Sequence, residues 1–188
     1  MRLPLLLPPE LTAEQQILYR SMRAGIASSF NAFKVIREDG ALMGPWNAYL
    51  HEPTIGTTTW DLTKAINQIA TLPKTVREIA VLVVGARYRC AFEIYAHVAM
   101  AQGLGMPLAQ LATICAALKP TNLGAEENLG YDIAHALCAG GALPEPLYRM
   151  GVTTFGQRGM NEMTYLVGLY SMIAITLNAF DAPVPERE

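Results

Sequence analysis

Apolar residues recur at three- and four-residue spacing in segment after segment of this chain, and each segment meets a helix stop. LTAEQQILYRSMRAGIASSFNAFKVI (residues 11–36) opens with Thr12 as N-cap and Gln15 three residues on, a capping box, and the Asp39–Gly40 pair closes it. GALMGPWNAYLHEPTIG (residues 40–56) is rich in Gly and Pro and reads as a structured loop around one short helical turn. TTTWDLTKAINQIATL carries Leu62, Ile66 and Ile69 at helical spacing. TVREIAVLVVGARY is β-branched enough to suit a strand, but its length and the Val76, Ile79, Ala80, Val83 spacing favour a helix. The next helix runs from Cys90 to Gln102 and stops at Gly103–Leu104–Gly105. MPLAQLATICAAL starts with Pro107 in its first turn, and AEENLGYDIAHALCAGGA has Glu126 and Glu127 in its own. PEPLYRMGVTTFGQ and MNEMTYLVGLYSMIAITLNAF complete the set. The spacing therefore predicts an all-α chain of about eight helices. With no repeat and no linker, it reads as one domain over residues 1–188, with an N-terminal helical extension over about residues 1–56.

Charge narrows the partners. Charged residues make up 16% of the chain and apolar ones 52%, against about 25% charged in an average domain. Apolar surface in that excess belongs at a subunit contact, so a homo-oligomer (dimer, trimer or hexamer) is expected. A net charge of −2 with no Lys/Arg cluster gives no footprint for nucleic acid. The apolar run in MRLPLLLPPE is too short and too proline-rich for a signal peptide. The apolar C-terminal stretch is short of a spanning helix and contains Ser171, Thr176 and Asn178. No membrane partner and a cytoplasmic location are expected. Cys90, Cys115 and Cys138 are an odd number, widely spaced with no CxxC, which argues against a secreted disulfide framework and a zinc ribbon.

Chemistry concentrates in RCAFEIYAH, residues 89–97. On a continuous helix Cys90, Glu93 and His97 would fall within an arc of about 60°, with Cys90 and His97 about 10.5 Å apart along the axis. Glu93 would lie between them and reach either. A carboxylate four residues before a histidine favours imidazolium and orients the ring. Cys90 at the helix start gains thiolate character from the dipole, and Glu93 opposes this with a like charge. The alternative is a cysteine packed as a small hydrophobe beside a solvated Glu–His pair. Apolar Phe92, Ile94, Tyr95, Val98 and Met100 around the stripe make three polar groups there costly unless paired or used.

The stretch REIAVLVVGARYRCAFEIYAHVAMAQGLG resembles the carboxymuconolactone decarboxylase-like superfamily, which includes the alkylhydroperoxidase D-like proteins. Arg77–Glu78, Glu93, His97, Ala99 and Gly103–Leu104 carry the likeness in order and spacing, and GPWNAYLHEP and the closing LYSMIAITLNAFDAPVP extend it more loosely. The resemblance implies an alkylhydroperoxidase D-like helical fold and an oligomer. In the hydroperoxidase branch the site is a Glu, a Cys-x-x-Cys and a His. Glu78, Cys90 and His97 fall on that spacing, but Glu93 stands where the second cysteine would be. The resemblance to the decarboxylase branch implies a lyase of aromatic-compound degradation acting on a small organic acid or lactone. There Glu93 and His97 would transfer the proton, Glu78 would orient or relay, and neither metal nor organic cofactor would be needed. Arg87 or Arg89 would hold a substrate carboxylate. Two further readings stand beside it. One is a thiol-dependent hydroperoxidase, of peroxiredoxin type, in which Cys90 is oxidised and resolved by an external thiol. The other is an oligomeric binding protein without chemistry.

Outside the stripe, His51 and Trp46 of the GPWN–AYLHEP segment are candidate substrate-binding residues. Trp46, Trp60 and Tyr170 read as packing residues, of the kind that a small-molecule pocket between helices would also use as walls. His135 follows Asp132 by three residues and reads as half of a surface pair. HExxH is absent, and no metal is expected.

Overall fold

The computed structural model describes residues 2–30 and 32–185. Residues 1, 31 and 186–188 of the expected domain lie outside that set. Among the described residues the structure is helical, with only an isolated bridge between Ile36 and Leu42. The elements are α1 (Ala13–Ser29), α2 (Pro45–His51), α3 (Pro53–Ile69), α4 (Lys74–Tyr88), α5 (Ala91–Gly103), α6 (Leu108–Cys115), α7 (Ala125–Ala139) and α8 (Glu145–Ala179).

The strand-like sequence of α4 becomes the centre of the molecule. Every residue from Glu78 to Ala86 is buried, and the helix packs against α5, α6, α7 and α8. A helix that is apolar all round is stable only when it is covered all round. Val76, Val81, Val83 and Val84 supply that surface, and burial outweighs their weak helix propensity. Gly130 of α7 lets that helix close on α4, since a Cβ there would meet Val76 Cγ1 at 2.6 Å.

Several boundaries differ from the sequence expectation. α1 ends at Ser29 rather than reaching Ile36. Beyond it Phe30 and Val35 turn into the core, and Met43 N–H donates to Val35 O across a tight excursion. The capping box at Thr12 is present as expected. α3 starts at Pro53, earlier than Thr57, because proline's fixed φ suits the first helical turn. The two C-terminal segments form one helical run, broken where Gly156 adopts φ 69°. That left-handed conformation, which a side chain would strain, marks the division the sequence suggests.

α4 and α5 form a tight hairpin. Arg89 takes a left-handed conformation (φ 52°), and Cys90 N–H donates to Gly85 O at 2.9 Å. Gly85 then lets α5 approach until Glu93 Cβ would lie 3.3 Å from an added methyl. At the other end of α4, the Glu162 carboxylate of α8 is fully buried. It accepts from Thr71 N–H (2.7 Å) and Leu72 N–H (3.0 Å) and pairs with the Arg77 guanidinium. These contacts fix both ends of the helix that carries Glu78.

Candidate functional site

The hairpin brings Glu78 of α4 and Glu93 of α5 to opposite sides of the His97 ring. His97 Nδ1–H donates to Glu78 Oε2 at 2.8 Å, and Nε2 lies 3.5 Å from Glu93 Oε2. All three residues are buried. Tyr170 of α8 stacks edge-on against the imidazole, with ring centroids 4.9 Å apart and planes at 88°. The ring is thereby held at one nitrogen and on one face.

The electrostatics follow from burial among like charges. Burial pushes the Glu93 carboxyl up to about 7; His97 pulls it down and Glu78 adds to the rise. For His97, burial acts to lower the pKa. The Glu78 charge and hydrogen bond, with the Glu93 charge, outweigh it, so the imidazole holds its proton above its ordinary range. Burial raises the Tyr49 and Tyr170 hydroxyls, with the Glu93 charge second in each case. Burial thus brings the Glu93 carboxyl up to about 7, beside an imidazole whose pKa is also raised.

Glu93 and His97 line a small cavity between α2, α3, α5 and α8. Its walls are aromatic: Phe30, Trp46, Tyr49, Trp60 and Phe92 contribute, with half-buried Phe33 at the edge. Phe30 packs edge-on against Trp46 at 5.5 Å. Gly44 enters α2 at φ 63°, and a side chain there would collide with the Phe92 ring. Two buried polar atoms of these lining residues make no hydrogen bond: the Tyr49 hydroxyl and Glu93 Oε2, the latter 3.5 Å from His97 Nε2. No lysine or arginine lines the cavity.

Other candidates fall elsewhere. Cys90 precedes α5 with extended backbone (φ −86°, ψ 102°), so the helical arc drawn through it does not apply. It is 1% exposed and lines a separate depression with Leu177 and Asn178. Burial pushes its thiol up to about 11, against the pull of the Glu93 and Phe92 amides. Arg87 and Arg89 do not reach the cavity. Arg87 is exposed with Nε–H donating to Cys138 O at 3.4 Å, and Arg89 is exposed in the hairpin turn. Arg87 lines a depression with Cys138 and Arg89 one with Cys90, neither shared with Glu93 and His97. His51 ends α2 rather than lying in a loop, and its Nε2 sits 2.8 Å from Pro4 O in the N-terminal segment, away from the cavity lining. Trp46 does line it. His135 is exposed and stacks on Tyr131, while Asp132 pairs with Lys119 instead. Among the described residues no group of His, Cys, Asp and Glu is placed to hold a metal ion.

Tyr49 was not singled out by the sequence. A seven-residue helix is too short for periodicity to assign its inward face. Its position follows from Asn47, which donates to Pro4 O (3.0 Å) and accepts from Leu6 N–H (3.1 Å), and from Gln15, which donates to Leu50 O (2.8 Å).

No family model matches the sequence, and no curated protein matches it. Among solved structures, the chain is similar to an uncharacterized peroxidase-related protein with an alkylhydroperoxidase AhpD core from Ralstonia eutropha JMP134. The TM-score is 0.74 at 14% identity, over 95% of this chain and 88% of that one. The likeness is one of fold.

Proposed function

Taking the alkylhydroperoxidase D-like fold as the frame, we propose that this chain is an acid–base enzyme that moves protons at an enolisable carbon of a small molecule. The observation that carries the reading is His97 held between Glu78 and Glu93, with Glu93 facing a cavity. Glu93 is the group that touches substrate. It accepts a proton in its carboxylate form and returns one in its acid form. His97 carries the proton on its Nε2 side, and Glu78 holds the ring so that Nε2 faces Glu93. This chemistry requires no thiol. A lyase of the decarboxylase kind would use the same acid to protonate the enolate left after loss of carbon dioxide.

The hydroperoxidase reading is favoured by the peroxidase-related description of the similar structure, but the Cys90 thiol is buried, outside the cavity, and shifted away from thiolate. One experiment separates the two. Small lactones and enolisable ketones, and in parallel hydroperoxide with a dithiol, are offered to wild type, Glu93→Gln, His97→Asn and Cys90→Ser. The expected result is carbon-acid turnover that falls by about 10²–10⁴-fold in Glu93→Gln and His97→Asn and persists in Cys90→Ser. Full turnover in Glu93→Gln, or peroxide consumption that vanishes in Cys90→Ser, would overturn the reading.

A further inference from the structure

We propose that the cleft on the Glu78 side of His97 is a second ligand site, and that it takes an organic monoanion, a single carboxylate on an apolar body. This goes beyond the acid–base reading, which places substrate on Glu93, and it stands whether or not that reading does.

Three helices build the cleft. Lys74, Arg77, Glu78 and Val81 line it from α4 at i, i+3, i+4 and i+7, one stripe of a helix. Met100, Gly103 and Leu104 begin the same spacing at the end of α5, and Leu166 and Tyr170 join them from α8. The volume, about 550 Å³, lies within the roughly 300–1,000 Å³ of small-molecule sites. Of the Glu78–His97–Glu93 chain only Glu78 lines this cleft, while Glu93 and His97 line the small cavity. Phe30 and Tyr170 line both spaces and so form a shared wall. A ligand in the cleft therefore meets the buried chain at the carboxylate that orients His97.

Charge selects the ligand. Arg77 is paired with Glu162 and also donates to Asn67 Oδ1 at 2.8 Å. Glu78 is paired with His97. Lys74 is exposed, and among the described residues it has no ion-pair partner. It is also the first residue of α4, where the helix dipole favours an anion. One uncompensated cation calls for one negative charge.

The rest of the stripe sets the body. Val81 lies two turns beyond Lys74, about 10 Å along the axis, so the stripe runs from a cation to an apolar residue. Leu166, Met100 and Leu104 add apolar surface from the other two helices. A carboxylate held at Lys74 can lay an apolar tail along that length. A second carboxylate would pass Glu78 and find no free cation, which is costly once it is desolvated. An ammonium would meet Lys74 with a like charge.

The test follows the methyl group of Met100 by NMR in protein labelled with methyl-13C methionine, the resonance being assigned from Met100→Leu. Hexanoate, hexanamide, hexylammonium and adipate are titrated at neutral pH, with calorimetry for affinity. Hexanoate is expected to shift the Met100 resonance and to bind at least ~5-fold more tightly than each of the other three. Lys74→Gln changes an exposed side chain outside the buried chain, and is expected to fold as wild type. It should lower hexanoate affinity several-fold and leave hexanamide unchanged. No Met100 shift with hexanoate, as a second copy of the chain covering the cleft would give, would overturn the proposal. So would adipate, hexylammonium or hexanamide binding as tightly as hexanoate, or full hexanoate affinity in Lys74→Gln. All of these are read from binding with Glu93 and His97 intact, whereas the acid–base reading fails on turnover in Glu93→Gln.

Discussion

Glu93 keeps its proton to about pH 7 because its carboxyl is buried beside a second carboxylate, and this makes its ionisation a stability term. A free glutamate gives up its proton near 4.5. Between those values the native state binds a proton that the unfolded chain has lost, so stability falls as pH rises. His97 acts in the same direction. Its pKa is raised in the fold, so its stabilising charge is present below the ordinary 6.5 and lost as pH climbs through the raised value. Urea denaturation of wild type is therefore expected to show stability declining between about pH 5 and about pH 8, with a flatter profile in Glu93→Gln. A flat wild-type profile would show that Glu93 titrates normally. At this scale the sequence spoke clearly about Glu93 and His97, whose four-residue spacing survives in α5. It misplaced Cys90 because a residue one step before a helix has no defined angle around it. Glu78 was legible only through its family spacing. Its contact with His97 depends on the hairpin turn, which periodicity does not encode.

At the scale of elements, α4 decides how the site is held. Its N-terminal end is anchored through Glu162, which serves two backbone N–H groups and Arg77 while fully buried. Glu162→Ala would leave the two backbone donors without their acceptor and the mostly buried Arg77 guanidinium without its counter-ion, with Asn67 Oδ1 and Ile66 O as its remaining acceptors. The expected loss is about 3–5 kcal/mol of unfolding free energy, read from the midpoint and slope of a urea transition. A loss below about 1 kcal/mol would mean that water replaces the carboxylate and that the clamp is dispensable. Nothing in the sequence announced Glu162. A lone acidic residue in MNEMTY has no local partner, and those it finds lie some ninety positions earlier. The helices were legible because each has its own period and stop. α4 was ambiguous for a physical reason: a helix covered on every side shows little polar face, so its pattern resembles a buried strand. The helix over residues 11–36 was overextended because Phe30 and Val35 continue an apolar pattern while facing a different part of the core.

On the scale of the whole molecule, α8 has two faces. One buries Leu166, Tyr170 and Ile173 and supplies the cavity with the last two. The other leaves Tyr165, Gly168, Met172 and Ile175 exposed. Those positions alternate three- and four-residue steps, the spacing of a seam between two helices. Tyr165 is 62% exposed and Ile175 53%, a heavy apolar load on one helix of a chain with only 16% charged residues. No helix among the described residues is long and apolar enough to cross a membrane, so a lipid-spanning role does not account for it. A second copy of the chain, presenting the same seam in antiparallel register, would cover both faces at once. Sedimentation is expected to give an oligomer for wild type and a smaller species for Met172→Glu with Ile175→Glu, since each charge would have to be desolvated in the seam. Wild type sedimenting as a monomer at micromolar concentration would remove this role from the seam. Because Tyr170 and Ile173 are carried on the opposite face of the same turns, the dissociated variant is also expected to lose part of any acid–base turnover found for wild type. Assembly would then buttress the wall behind His97 as well as cover the exposed face.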